Sequence, residues 1–110
     1  MLAVMFDEVT VASGGTSTSR AEHLRDGMRW HALEYEITGD GTASIEVLLS
    51  ISGKSYLSNG YAISGLTKTS GPGADGKGHV DLFLKPSDFI KLKVASASNT
   101  NVVTIWFVQK

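Results

Sequence analysis

Apolar and polar residues alternate along most of this chain with a period of two, the repeat of a β-strand with one dry face. In Thr42–Ser52, Ala43, Ile45, Val47, Leu49 and Ile51 fall on one side, and Ser44, Glu46, Leu48 and Ser50 on the other. In Asp88–Ala95, Ile90, Leu92 and Val94 point one way, and Lys91 and Lys93 the other. Leu2–Ala12, Arg29–Thr38, His79–Lys85 and Asn101–Gln109 read as further strands, and Tyr56–Lys68 holds one or two more around Asn59-Gly60. The turn Gly39-Asp40-Gly41 joins Arg29–Thr38 to Thr42–Ser52, which predicts a β-hairpin, because Gly and Asp accept positive φ. Ser70–Gly78 is a Gly-rich loop. Ser19–Met28 is the best helix candidate, with Ser19 as N-cap, Glu22 completing a capping box and Gly27 as stop. About seven or eight short strands without crossover helices predict one all-β domain over residues 1–110, an antiparallel β-sandwich of jelly-roll type.

The two end strands break the one-dry-face rule. Val103, Ile105 and Phe107 suit a core, yet Val102, Trp106 and Val108 lie opposite them. Likewise Leu2, Val4 and Phe6 oppose Ala3, Met5, Val9 and Val11. A two-layer sandwich has one interior, so the second apolar face calls for a cover, and a homo-oligomer is the usual one. Met5, Val9, Val11, Val102, Trp106 and Val108 are the predicted subunit contacts.

Composition narrows the function. The 110 residues carry 10 Lys and Arg against 11 Asp and Glu, a net charge of -1, so no basic field gathers nucleic-acid phosphates. No Cys is present, which excludes disulfides, thiolate metal sites and cysteine nucleophiles. No apolar run reaches the roughly 20 residues of a membrane helix. Asp7 and Glu8 interrupt the first apolar stretch, so a signal peptide is not expected.

Candidate chemistry is sparse. Gly71–Lys77 matches a phosphate-binding loop until Gly78 stands where a hydroxyl must hold Mg²⁺, and a strand rather than a helix follows. His23, His31 and His79 show no metal-ligand spacing, and on a strand His31 faces away from Glu34 and Glu36. Those two glutamates have Cβ atoms about 7 Å apart by strand rise, within reach of a glycosidase dyad but also ordinary on a wet strand face. Trp30, Tyr56 and Tyr61 offer aromatic rings, and Tyr56, Asn59 and Tyr61 form a candidate ligand loop of a carbohydrate-binding β-sandwich. No catalytic residue, metal or cofactor is predicted, and the chain reads as non-enzymatic.

The run Pro86-Ser87-Asp88-Phe89-Ile90-Lys91-Leu92-Lys93-Val94, the polar turn Ser96–Asn101 and then Val102-Val103-Thr104-Ile105-Trp106-Phe107 resembles small virion proteins of tailed phages and prophages. The Gly/Asp-rich approach Gly73–Gly78 is similar, and the resemblance covers the C-terminal third. It implies that the last two strands pair across the turn. It also implies a self-assembling structural subunit of a phage or prophage particle: capsid decoration, head fibre or tail component. Its partners would be itself and other virion proteins, with neither nucleic acid nor membrane, and its location the virion or the bacterial host's cytoplasm before assembly.

Overall fold

The computed structural model describes residues 2–110, with Tyr61 described by its backbone alone. Among the described residues nine strands run in chain order: β1 (Leu2–Val11), β2 (Thr16–Thr18), β3 (Glu22–His23), β4 (His31–Gly39), β5 (Thr42–Ser50), β6 (Leu57–Leu66), β7 (Lys77–Leu82), β8 (Phe89–Ser98) and β9 (Asn101–Gln109). They form two antiparallel sheets. One has the order β1-β9-β4-β7, the other β2-β8-β5-β6, with β3 also on β8. Counting β2 and β3 as halves of one interrupted strand gives the eight strands and interleaved crossings of a jelly roll. The predicted all-β sandwich is the fold observed.

Period-two alternation decides what lies between the sheets. Ile45, Val47, Leu92 and Val94 of one sheet and Ile37, Val103, Ile105 and Phe107 of the other are all but inaccessible to solvent. Leu33 and Tyr35 extend that layer, and Tyr35 reaches over Gly78, its register partner on β7.

Several local expectations are corrected. Gly39-Asp40-Gly41 does not close a hairpin: β4 pairs with β7 and β9, whereas β5 pairs with β6 and β8. The turn is an arch between sheets, and so is the connection from β8 to β9, so the last two strands do not pair either. The two arches lie against each other. A Cβ on Gly39 would sit 2.5 Å from the Thr100 carbonyl oxygen, and one on Gly41 2.6 Å from Asn101 Nδ2. Glycine is needed here for close approach rather than for a hairpin.

Ser19–Met28 is not helical. The Ser19 amide donates to the Leu92 carbonyl, its hydroxyl accepts the Leu92 amide, and Glu22 and His23 pair with Ile90 and Phe89. Long-range backbone partners on β8 outweigh a capping box followed by only three apolar residues. Ile51, expected on the dry face of its strand, lies beyond the end of β5 and is exposed.

β1 carries two irregularities, between Val4 and Phe6 and between Phe6 and Val9, with Glu8 at φ 49°. Each adds one residue relative to β9, so Met5 and Phe6, neighbours in sequence, both turn inward. Val11 is buried and Val9 packs against the core. Met5, Val9 and Val11 are therefore core residues of their own chain, not members of an outer face. Among the described residues no strand edge of either sheet is long and regular. β1 is bulged, β7 is short, β2 and β3 are fragments, and β6 slips twice against β5.

Candidate functional site

The strand directions bring one set of loops to one end of the sandwich. β1 begins there; β3, β5, β7 and β9 end there; and β4, β6 and β8 start there. This end, the foot, carries Leu2, Trp30, Ile51, Leu57 and Phe83, with Val4 one turn of the pleat above it. Those six are the exposed large hydrophobic residues of the described chain. The opposite end includes Gly39–Gly41, the 67–76 loop and Asn99–Thr100, which apart from Pro72 and Ala74 are polar or glycine.

Two surfaces meet at the foot. The first is the outer face of β1 and β9. Register pairs Leu2 with Val108 and Val4 with Trp106, while β4 sets Ala32 beside Val108 and Glu34 beside Trp106. Three of the predicted contacts, Val102, Trp106 and Val108, lie on this face and are half-buried. Leu2, 64% exposed, and Val4 take the places that Met5, Val9 and Val11 do not fill. A depression of about 240 Å³ separates this stripe from a polar border where Glu34 and His79 approach at 2.7 Å. Glu34 thus meets a histidine of the adjacent strand, and it shares the outer sheet face with Glu36 on β4.

The second surface is a cleft of about 600 Å³ between the 24–29 loop and the segment after β7. Its walls are held by buried side-chain amides. Gln109 accepts the Arg25 amide at 2.9 Å and donates to the His23 carbonyl at 2.9 Å. Asn59 donates to the Phe83 carbonyl at 2.9 Å and accepts the Lys85 amide at 3.1 Å. Arg29 and Trp30 both donate backbone N–H to the Lys110 carbonyl, and the Lys110 amide returns a bond to Trp30. A buried amide left unpaired would cost about 1–3 kcal/mol, so each clamp fixes its wall firmly.

The candidate ligand loop is thereby redistributed. Asn59 is a buried clamp, not a ligand-facing residue. Tyr56 is half-buried, with Lys91 Nζ 4.3 Å from its ring centroid, so one ring face is already taken. The side chain of Tyr61 lies outside the described residues. Trp30, 74% exposed, stands instead beside Phe83, 79% exposed, on a neighbouring cleft of about 390 Å³. Gln109 was missed in the sequence. Its signal is a polar residue at the inward end of the Val103, Ile105, Phe107 series, where burial demands a partner.

His31 closes the core above the cleft. Its ring stacks on Phe107 with centroids 6.0 Å apart and planes at 9°. Burial pushes its imidazole below the ordinary value of 6.5. A depressed pKa means that folding favours the neutral ring, so this stability is complete above pH 6.5 and is lost as pH falls through the folded value. Thermal melts from pH 8 to pH 5 are expected to show an acid-side decline that His31→Gln flattens.

Among the described residues no three His, Asp or Glu side chains converge as metal ligands would. No protein-family model matches the chain, and no curated protein matches it. Its fold is similar to a solved structure, the C-terminal CBM6 of LamC, a marine laminarinase from Zobellia galactanivorans, with a TM-score of 0.55 over 98% of this chain and 99% of that one at 14% identity.

Proposed function

We propose that this chain is a non-enzymatic structural module that associates with copies of itself through the outer face of β1 and β9. The particle of a phage or prophage is the setting implied by the likeness of its C-terminal third to virion proteins. The observation that carries this reading is the apolar row of Leu2, Val4, Trp106 and Val108 on the outer face of β1 and β9, bordered by Glu34, His79 and Asp81. A contiguous stripe of this kind marks an interaction surface more often than chance exposure. About 300 Å² covered on each of two copies, at roughly 25 cal/mol per Å², gives about 15 kcal/mol before the roughly 4–15 kcal/mol cost of association. The balance predicts association that depends on concentration in the micromolar range.

Sedimentation at rising concentration is the test. The parent chain is expected to form dimers or larger closed assemblies. The double variant Val4→Glu, Trp106→Glu should weaken association at least tenfold, since both positions point outward from a folded sheet. A parent chain that sediments as a monomer throughout overturns the proposal.

A second reading is favoured by a different observation. Trp30 and Phe83 expose flat rings beside a cleft, and the solved structure of similar fold is a carbohydrate-binding module. Sugar binding would quench or shift Trp30 fluorescence. It does not account for Leu2 and Val4, which are aliphatic and offer no ring to stack on.

A further inference from the structure

The 600 Å³ cleft at the foot is lined by Arg25, Arg29 and Lys85 against a single carboxylate, Asp26. Two ion pairs occur among the described residues, Arg20 with Glu22 and Lys68 with Asp40, and His79 hydrogen-bonds to Glu34. None involves a cleft cation. A chain of net charge -1 thus gathers three cations without an ion-pair partner into one concavity. Like charges brought together without a partner repel one another, and an anion placed among them removes that cost. The cleft is also built rather than incidental: Gln109 holds the wall that bears Arg25, the Lys110 backbone fixes Arg29, and Asn59 fixes Lys85. Such preorganisation lowers the entropy cost of binding.

The neighbouring 390 Å³ cleft shares Arg29, His31, Leu82 and Phe83 with this one and adds Trp30, a fourth cation, Lys110, and a second carboxylate, Asp81, so cations outnumber carboxylates by four to two across the pair. The combined surface therefore offers flat aromatic faces next to guanidinium forks. The forks match carboxylate and sulfate oxygens, and the rings match the C–H face of a pyranose. We infer that this cleft binds an anionic saccharide, a short chain of uronate or sulfated sugars. The inference deepens the carbohydrate reading and is independent of self-association.

Calorimetry on the full chain tests it with five probes: trigalacturonate, a sulfated carrageenan tetrasaccharide without carboxylates, laminaritriose, cellotriose and triglutamate. At least one acidic saccharide should bind ten or more times tighter than the neutral ones and than triglutamate, with affinity falling as salt rises. Which of the two acidic probes binds better identifies carboxylate or sulfate as the recognised group. Arg25→Ser with Arg29→Ser should reduce that affinity at least tenfold, and Lys85→Ser should do so from the opposite wall. All three side chains are exposed and without ion pairs, so an unchanged far-UV spectrum is expected and verifies folding. Equal binding of neutral saccharides overturns the inference while leaving the carbohydrate reading standing. Binding of no saccharide overturns both. Equal binding of triglutamate reassigns the cleft to acidic peptide, and variants that bind like the parent overturn the location.

Discussion

Leu92→Ala is expected to lower the free energy of unfolding by about 3–5 kcal/mol, the upper range for a leucine removed from a rigid core. Leu92 is fully buried on β8, which is flanked by β2 and β5 and so cannot relax toward solvent. Its amide donates to Ser19 Oγ and its carbonyl accepts the Ser19 amide, pinning the backbone while the side chain is lost. A collapsing site would soften the penalty; a pinned one keeps the cavity. A domain of this size has about 5–15 kcal/mol to lose, so the variant should melt roughly 15–30 °C lower. Urea titration checks it: the midpoint should fall with little change in slope. Leu2→Ala, on the exposed face, should change stability by no more than about 0.5 kcal/mol.

Gly76→Ala is expected to cost about 2–4 kcal/mol, an unusual amount for one methyl group in a loop. Gly76 has φ +79°, and an added Cβ would lie 2.4 Å from the Ile37 carbonyl oxygen and 3.1 Å from that of Lys68. Both are backbone atoms, so no side chain can swing away. Gly76 also extends the β4–β7 ladder by one step, because the Ile37 amide donates to its carbonyl at 2.8 Å while its own amide donates to Ser70. Moving the loop to make room therefore breaks that ladder beside a fully buried isoleucine. Differential scanning calorimetry of Gly76→Ala against Gly73→Ala, whose Cβ would meet only the Asp75 side chain at 3.4 Å, isolates the effect.

The same loop shows what a sequence discloses and what it withholds. Its glycines looked like part of a phosphate cradle, and the missing hydroxyl at Gly78 argued against one. Yet only the fold reveals that Gly76 and Gly78 are small because Ile37 and Tyr35 of β4 press on them. Strand existence was legible because alternation is local: Ala43, Ile45, Val47 and Leu49 are buried as their spacing demands. Strand partners were not legible. A hairpin and an arch bury the same alternate residues, and Gly39-Asp40-Gly41 serves either. The bulges of β1 were hidden for a related reason, since Met5 and Phe6 are both apolar and either suits the core. Of the outer face, Val102, Trp106 and Val108 could be read because β9 is regular; Leu2 and Val4 could not, because their register is set by irregularities further along β1. The cleft was illegible as a unit. Its cations come from segments about 60 residues apart, each held by a side-chain amide from elsewhere in the chain, Gln109 for Arg25 and Asn59 for Lys85.

The irregular margins of both sheets bear on how copies of this chain can meet. A smooth border would let one molecule add to the next without end, as threads do in a ribbon. Here the margins are kinked or cut short, and the greasy ground lies on a flat side instead. Two such sides laid together would use each other up, so association through this face would close as a pair rather than extend as an open-ended fibre.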